Sequence, residues 1–185
     1  MNKTELSIHL EVTQFKSLHR AGWVRCGIPH PESVAGHSWG MSWLVLNLLP
    51  ENLDVGKALS YAALHDLPEV RTGDLMPHEV ISIHEKHEGE RAAMRSICAD
   101  LPRGSNLLSL WERYESQSDA ESRFVRQLDR LDMAIQAVAY HQQGWEGMID
   151  FIDSAETDIE EAHLLQMINA LRMWITANPP SRPYP

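Results

Sequence analysis

Residues 119–143 read DAESRFVRQLDRLDMAIQAVAYHQQ. Phe124, Leu128, Leu131, Ile135 and Val138 recur at spacings of four, three, four and three, the period of one face of an α-helix. Asp129 lies on the edge of that stripe, in line with Val125, Asp132 and Gln136. An ionised carboxylate held against an apolar face is costly unless it is paired or bound to a metal. This one segment therefore predicts a long buried helix and marks Asp129 as a residue to explain.

Helical periods extend outward over most of the chain, and strict apolar–polar alternation is missing. Residues 4–21 read as a first helix with Leu6, Leu10, Phe15 and Leu18 apolar. Gly22, Gly27 and Pro29 to Pro31 then mark an irregular connection. Helices are expected near 33–49, 54–66 (with Asp54 as N-cap), 80–100, 105–115 and 156–177. The stretch 67–78 reads as a loop with at most one helical turn. The expectation is an all-α domain of about seven helices over residues 1–178. A tail at 179–185 follows, within a segment carrying four prolines in eight residues.

Composition narrows the functional classes. Sixteen basic against 26 acidic residues leave a formal charge of −10, which argues against a nucleic-acid polymer as partner. A small phosphate remains compatible, because a metal and a few local cations can hold one. The longest apolar run, Trp43 to Leu49, is too short to span a bilayer. With no signal-peptide pattern and two cysteines, Cys26 and Cys98, the expected location is cytoplasmic.

In the second helix His37 shares a stripe with Met41, Leu44 and Leu48. In the third His65 falls on the face of Ala58, Tyr61 and Ala62, with Asp66 beside it. Two imidazoles and two carboxylates from three helices would make a mixed nitrogen–oxygen site for a divalent ion, Co²⁺, Mn²⁺, Fe²⁺, Mg²⁺ or Zn²⁺. Each residue has a plainer reading. A lone histidine on an apolar face is more often a satisfied core residue, and Asp129 could pair with Arg126 or Arg130 on its own helix.

Gly22-Trp23-Val24-Arg25 followed by Pro31-Glu32-Ser33-Val34-Ala35-Gly36-His37-Ser38 resembles the opening of the YfbR-like HD-domain 5′-deoxynucleotidases and their eukaryotic relatives. His65-Asp66-Leu67-Pro68-Glu69-Val70-Arg71-Thr72-Gly73-Asp74 is similar to that family's second segment. Glu85-Lys86-His87, with Glu90 and Ala93-Met94, resembles the helix that follows, and Leu128-Asp129-Arg130-Leu131-Asp132 its last ligand segment. Together these cover roughly residues 20–140. The resemblance implies an HD-domain helical bundle with metal ligands His37, His65, Asp66 and Asp129, and catalytic carboxylates Glu69 and Asp74. Glu69 follows His65 by four residues, so one helical turn would bring it beside the metal, where it could orient or deprotonate a water. For Asp74, directly after Gly73, a turn role competes.

Substrate contacts are expected at Trp23, for stacking on a base, and at Arg20, Arg25, Arg126 and Lys86, for phosphate. The chain departs from the bacterial branch at Val80, where that branch has a lysine, and at Gly22-Trp23 in place of Arg-Trp. The implied activity is phosphate hydrolysis from deoxynucleoside monophosphates. The alternatives are a deoxynucleoside triphosphohydrolase, related phage enzymes included, and a catalytically silent nucleotide-binding protein. Family relatives imply a homo-oligomer; the catalytically silent reading is the one that Trp39, Trp43 and Trp145 support, as residues for an assembly interface.

Overall fold

A computed structural model describes residues 3–75 and 82–179, with side chains from residue 5 onward. Val80 and residues 180–185 of the expected tail fall outside it. Among the described residues every regular element is helical, and the β structure is a single isolated bridge, His19 to Ser33. The helices are α1 (Lys3–Val12), α2 (Ala21–Arg25), α3 (Val34–Leu48), α4 (Val55–Leu64), α5 (Glu69–Thr72), α6 (Ile83–Cys98), α7 (Gly104–Glu115), α8 (Ala120–Gln142), α9 (Ile149–Glu156) and α10 (Ala162–Ala177). Seven of them correspond to the expected segments. The additions α2 and α9 are short, and α5 is the single helical turn allowed for within 67–78.

Two expected helices break. The first ends at Val12 and passes through a 3₁₀ turn, Thr13–Lys16. Beyond it the backbone pairs with the segment before α3, Arg20 N–H donating to Glu32 O at 3.0 Å and Val34 N–H to Leu18 O at 2.8 Å. A helix through residue 21 would forfeit those bonds. The stripe itself is also corrected: Leu6 is 44% and Leu10 61% exposed, while Ile8 is buried. The expected helix 156–177 starts at Ala162 because the Gln127 side chain of α8 accepts the backbone N–H groups of Glu160 and Glu161, both at 2.8 Å. That contact serves two amides left over at a helix start. Upstream, Gly144 and Gly147 turn the chain with positive φ, and α9 lays Met148, Ile152 and Ala155 into the core.

The central helix behaves as its pattern predicts. Phe124, Leu128, Leu131 and Val138 are buried, and Ile135 is partly so. Packed against α3, α4, α9 and α10, α8 forms the axis of the larger apolar core. Each fully buried leucine there contributes on the order of 1.5–3 kcal/mol of transfer free energy. A second cluster joins Ile8, Leu67, Met94, Ile97, Cys98 and Trp111 from α1, α6, α7 and the α4–α5 turn. Residues from both sides of this arrangement line one cavity of about 610 Å³.

Candidate active site

His37 and His65 reach the site from opposite helices. Ser33 caps α3 by accepting the Gly36 N–H at 3.0 Å, and His37 follows in the first turn, completely buried. His65 closes α4, where its own carbonyl accepts the Trp111 indole N–H at 3.0 Å. The two imidazoles stand edge to face with centroids 5.3 Å apart. Both are oriented through Nδ1. His37 Nδ1 lies 2.7 Å from Asp132 Oδ2, and His65 Nδ1 lies 3.1 Å from the Ala62 carbonyl. Carboxylate and carbonyl oxygens only accept, so each Nδ1 carries the proton and each neutral ring turns the Nε2 lone pair toward the cavity.

Those lone pairs face carboxylates. His37 Nε2 is 3.1 Å from Asp129 Oδ1, and His65 Nε2 is 3.0 Å from Asp66 Oδ2. Both Nε2 atoms are buried with no hydrogen-bond partner. Acceptor against acceptor is repulsive unless a positive charge lies between them. In the metal-free protein a proton can serve. Burial and the Arg20 charge oppose protonation of His37, yet Asp129 and Asp132 outweigh them and push its pKa up to about 9. Burial would likewise raise Asp66 and Asp129, but the histidines beside them hold both well below the usual carboxylate range. The donor atoms of His37, His65 and Asp129 lie within 4.8 Å of one another, and Asp66 adjoins them. The two nitrogen and two oxygen donors fit a divalent ion.

Glu69, at the start of α5, is buried, and its Oε2 has no partner. Burial first, then Asp66 and Asp74, raise its pKa far above that of a free carboxylate. Gly73 follows at φ 75°, a conformation open to glycine, and swings the chain so that Asp74 Oδ2 accepts the Ala21 N–H at 2.7 Å. Asp74 thus ties the α5 loop to the start of α2 while still lining the cavity. Lys86 donates to the Leu75 carbonyl at 2.9 Å and lies 3.4 Å from Glu90 and 3.8 Å from Glu69.

Of the residues singled out by sequence, Arg20, Trp23, His65, Asp66, Glu69, Asp74, Lys86, Arg126 and Asp129 all line the one cavity, with His37 directly behind Asp129. Arg20 places a guanidinium nitrogen 3.7 Å from Asp66. Trp23 is buried against Tyr140 and Phe151 and donates to Glu32 at 3.2 Å. Arg25 is the exception: it sits on the exposed side of α2, away from the cavity wall. The i,i+4 geometry of a helix explains this, since Arg25 and Trp23 point in different directions. Arg130, a possible partner for Asp129, instead reaches Asp158 at 2.9 Å.

Sequence reasoning passed over Asp132. It stands three residues after Asp129 on α8 and accepts the hydrogen bond from His37 Nδ1. Gly40, three residues after His37 on α3, makes room for it, because a Cβ there would collide with the Asp132 carboxylate. The available signal was a matched pair of i,i+3 positions on two helices: Asp129 with Asp132, and His37 with Gly40.

The family model described as HD domain matches residues 12–172. The human 5′-deoxynucleotidase HDDC2 is 35% identical over 86% of this chain and 80% of its own length. The Schizosaccharomyces pombe 5′-deoxynucleotidase hdd1 is 33% identical over 71% of the chain and 70% of its own length. Among solved structures, a conserved hypothetical protein from Pyrococcus furiosus superposes with TM-score 0.75 at 31% identity, covering 91% of this chain and 99% of its own. A structure from Magnetospirillum magnetotacticum shares the fold, with TM-score 0.75 at 23% identity over 94% and 92% of the two chains. By sequence, fold and site geometry together, the chain belongs to the HD-domain family.

Proposed function

We propose that the protein is a metal-dependent 5′-deoxynucleotidase that hydrolyses the phosphate ester of deoxynucleoside monophosphates. The observation that carries this reading is the pair of buried, partnerless histidine Nε2 atoms facing Asp66 and Asp129, two carboxylates that line one cavity. The curated relatives named above, which act as 5′-deoxynucleotidases, support the substrate class. His37, His65, Asp66 and Asp129 hold the ion. Such an ion polarises a phosphoryl oxygen and makes water nucleophilic at neutral pH.

The protein's own residues do the rest. Glu69 presents its unpartnered Oε2 to the attacking water, orients it and takes its proton. A cation held by the neighbouring ligands opposes the raise that burial, Asp66 and Asp74 impose, and so keeps Glu69 ionised as a base requires. Arg20, Arg126 and Lys86 supply positive charge for the phosphate from three sides of the cavity. Trp23, with Phe151 and Met133, offers an apolar wall for the nucleoside. Asp74 fixes the loop that carries Glu69.

The active form is a homo-oligomer in the cytoplasm. Its supports are an exposed stripe on α3, where Trp39, Trp43 and Leu46 are 72%, 56% and 63% exposed, and two free thiols at Cys26 and Cys98. Trp145, by contrast, packs against the core. A panel of deoxynucleoside monophosphates, deoxynucleoside triphosphates and ribonucleotides tests the substrate, with the released product identified. Orthophosphate from deoxynucleoside monophosphates is expected. Release of triphosphate, or equal turnover of ribonucleotides, would overturn the reading.

A further inference from the structure

Among the described residues, five buried polar side-chain atoms make no hydrogen bond of ordinary geometry: His37 Nε2, His65 Nε2, Glu69 Oε2, Arg130 Nε and Tyr114 Oη. The first three belong to the cation site and its base, and Arg130 lies against Asp158. Tyr114 is left over. Its ring is 2% exposed and is fixed by packing against His65 and Tyr61, with centroids 5.6 and 6.0 Å away. Trp111, one turn earlier on α7, has its indole N–H satisfied by the His65 carbonyl. Tyr114 has no such outlet, although it lines the cavity alongside Asp66, Arg126 and Asp129.

The group that pairs with the phenol oxygen is the Arg126 guanidinium. A guanidinium only donates, so it offers the phenol proton no acceptor. Burial and the Asp129 charge hold the phenol firmly protonated. The result is an O–H donor beside a cationic side chain, on a residue that lines a site whose ligand is rich in acceptors. A buried donor without a partner is costly to the fold and points to a missing acceptor.

We propose that Tyr114 is a catalytic residue that donates a hydrogen bond from Oη to a non-bridging phosphoryl oxygen of the substrate, next to Arg126. The inference rests on the phosphohydrolase reading above. Tyr114 exchanges no proton: water adds to phosphorus as the bond to the leaving oxygen breaks, Glu69 takes a proton from the water and returns it to that oxygen, and Tyr114 keeps its own. As charge is redistributed over the phosphoryl oxygens, a donor already in place needs no reorganisation.

Tyr114→Phe tests this, because it keeps the ring and removes only the hydroxyl. The expected result is a kcat/KM for deoxynucleoside monophosphates lower by roughly 10- to 100-fold, the loss falling chiefly on kcat. Metal content stays at the wild-type level, and the thermal midpoint moves little, because the phenol proton has no acceptor in the fold to lose. Wild-type kcat/KM, loss of the metal, or a lowered midpoint with the rate kept would each overturn the proposal. Binding of inorganic phosphate to the metal-loaded protein tests the contact without turnover. Weaker binding by Tyr114→Phe supports it, and equal binding overturns it. A wild-type protein that hydrolyses no nucleotide would instead sink the functional reading, and the phosphate comparison would still decide the role of Tyr114.

Discussion

At the scale of single residues, burial and partnership separate chemistry from structure. Glu69 and Asp74 were both expected to be catalytic, yet they are placed differently. Asp74 already has a backbone N–H as partner, whereas Glu69 keeps a free, buried oxygen. Glu69→Gln is isosteric and leaves His37, His65, Asp66 and Asp129 intact, so metal content should hold. The turnover rate should fall by roughly 10²- to 10⁴-fold, the usual range for loss of a general acid or base. KM should move little if the carboxylate acts mainly in the transition state. Steady-state kinetics with metal analysis checks this. A raised KM at preserved rate would make Glu69 a substrate-binding group, and loss of the ion would make it a ligand.

At the scale of elements, the close approach of α3 and α8 sets the geometry of His37. Gly40 and Asp132 act as one device, the missing Cβ admitting the carboxylate that fixes the imidazole. Partners of this kind typically change metal affinity by roughly 10- to 100-fold. Asp132→Asn should therefore weaken the metal within that range, and Gly40→Ala should do the same by displacing the carboxylate. In an Asp132→Ala background, Gly40→Ala should cost little more, because the collision is gone. Metal titrations of the single and double variants measure the coupling, and additive losses would contradict it.

Most of these helices were legible because their apolar residues keep a 3.6-residue period over ten or more positions. The period misled where it ran through a tertiary break. Leu10, Phe15 and Leu18 continue the pattern of α1, but pairing with residues 32–34 wins there. α9 was missed because its eight residues sit behind two glycines. The four side chains proposed as metal ligands could be named from motif and face. Asp132 and Tyr114 could not, since their roles depend on which atoms lack or share a partner across helices distant in sequence.

At the scale of the whole molecule, the site is an electrostatic load that a bound cation would relieve. The folded-state pKa of His37 is raised from 6.5 to about 9. A group raised in this way contributes stability that is fully present below its unfolded value and is lost as pH rises through the folded one. Glu69, also raised, acts with the same sign. The metal-free protein should accordingly lose stability between about pH 6.5 and pH 9, the window of the His37 shift. Added Mn²⁺ or Co²⁺ should restore it, by about 2.7 kcal/mol at one hundred times the dissociation constant. For a chain of this size that is roughly 5–10 °C in midpoint. Thermal melts across pH, with and without the ion, show whether this holds. A midpoint insensitive to metal at pH 8 would argue against a cation in the cavity.

The central claim is that an ion held by these four side chains makes the protein a deoxynucleotide phosphohydrolase. The most direct test is orthophosphate release from a deoxynucleoside monophosphate by chelator-treated protein as Mn²⁺ or Co²⁺ is added back, run alongside Asp129→Ala. Helix α8 keeps Phe124, Leu128 and Leu131 for its packing, so the variant should retain wild-type helical content. The account predicts a rate near zero before metal, saturable recovery in the wild type and none in the variant. A rate independent of metal, or an Asp129→Ala protein that recovers fully, would contradict it.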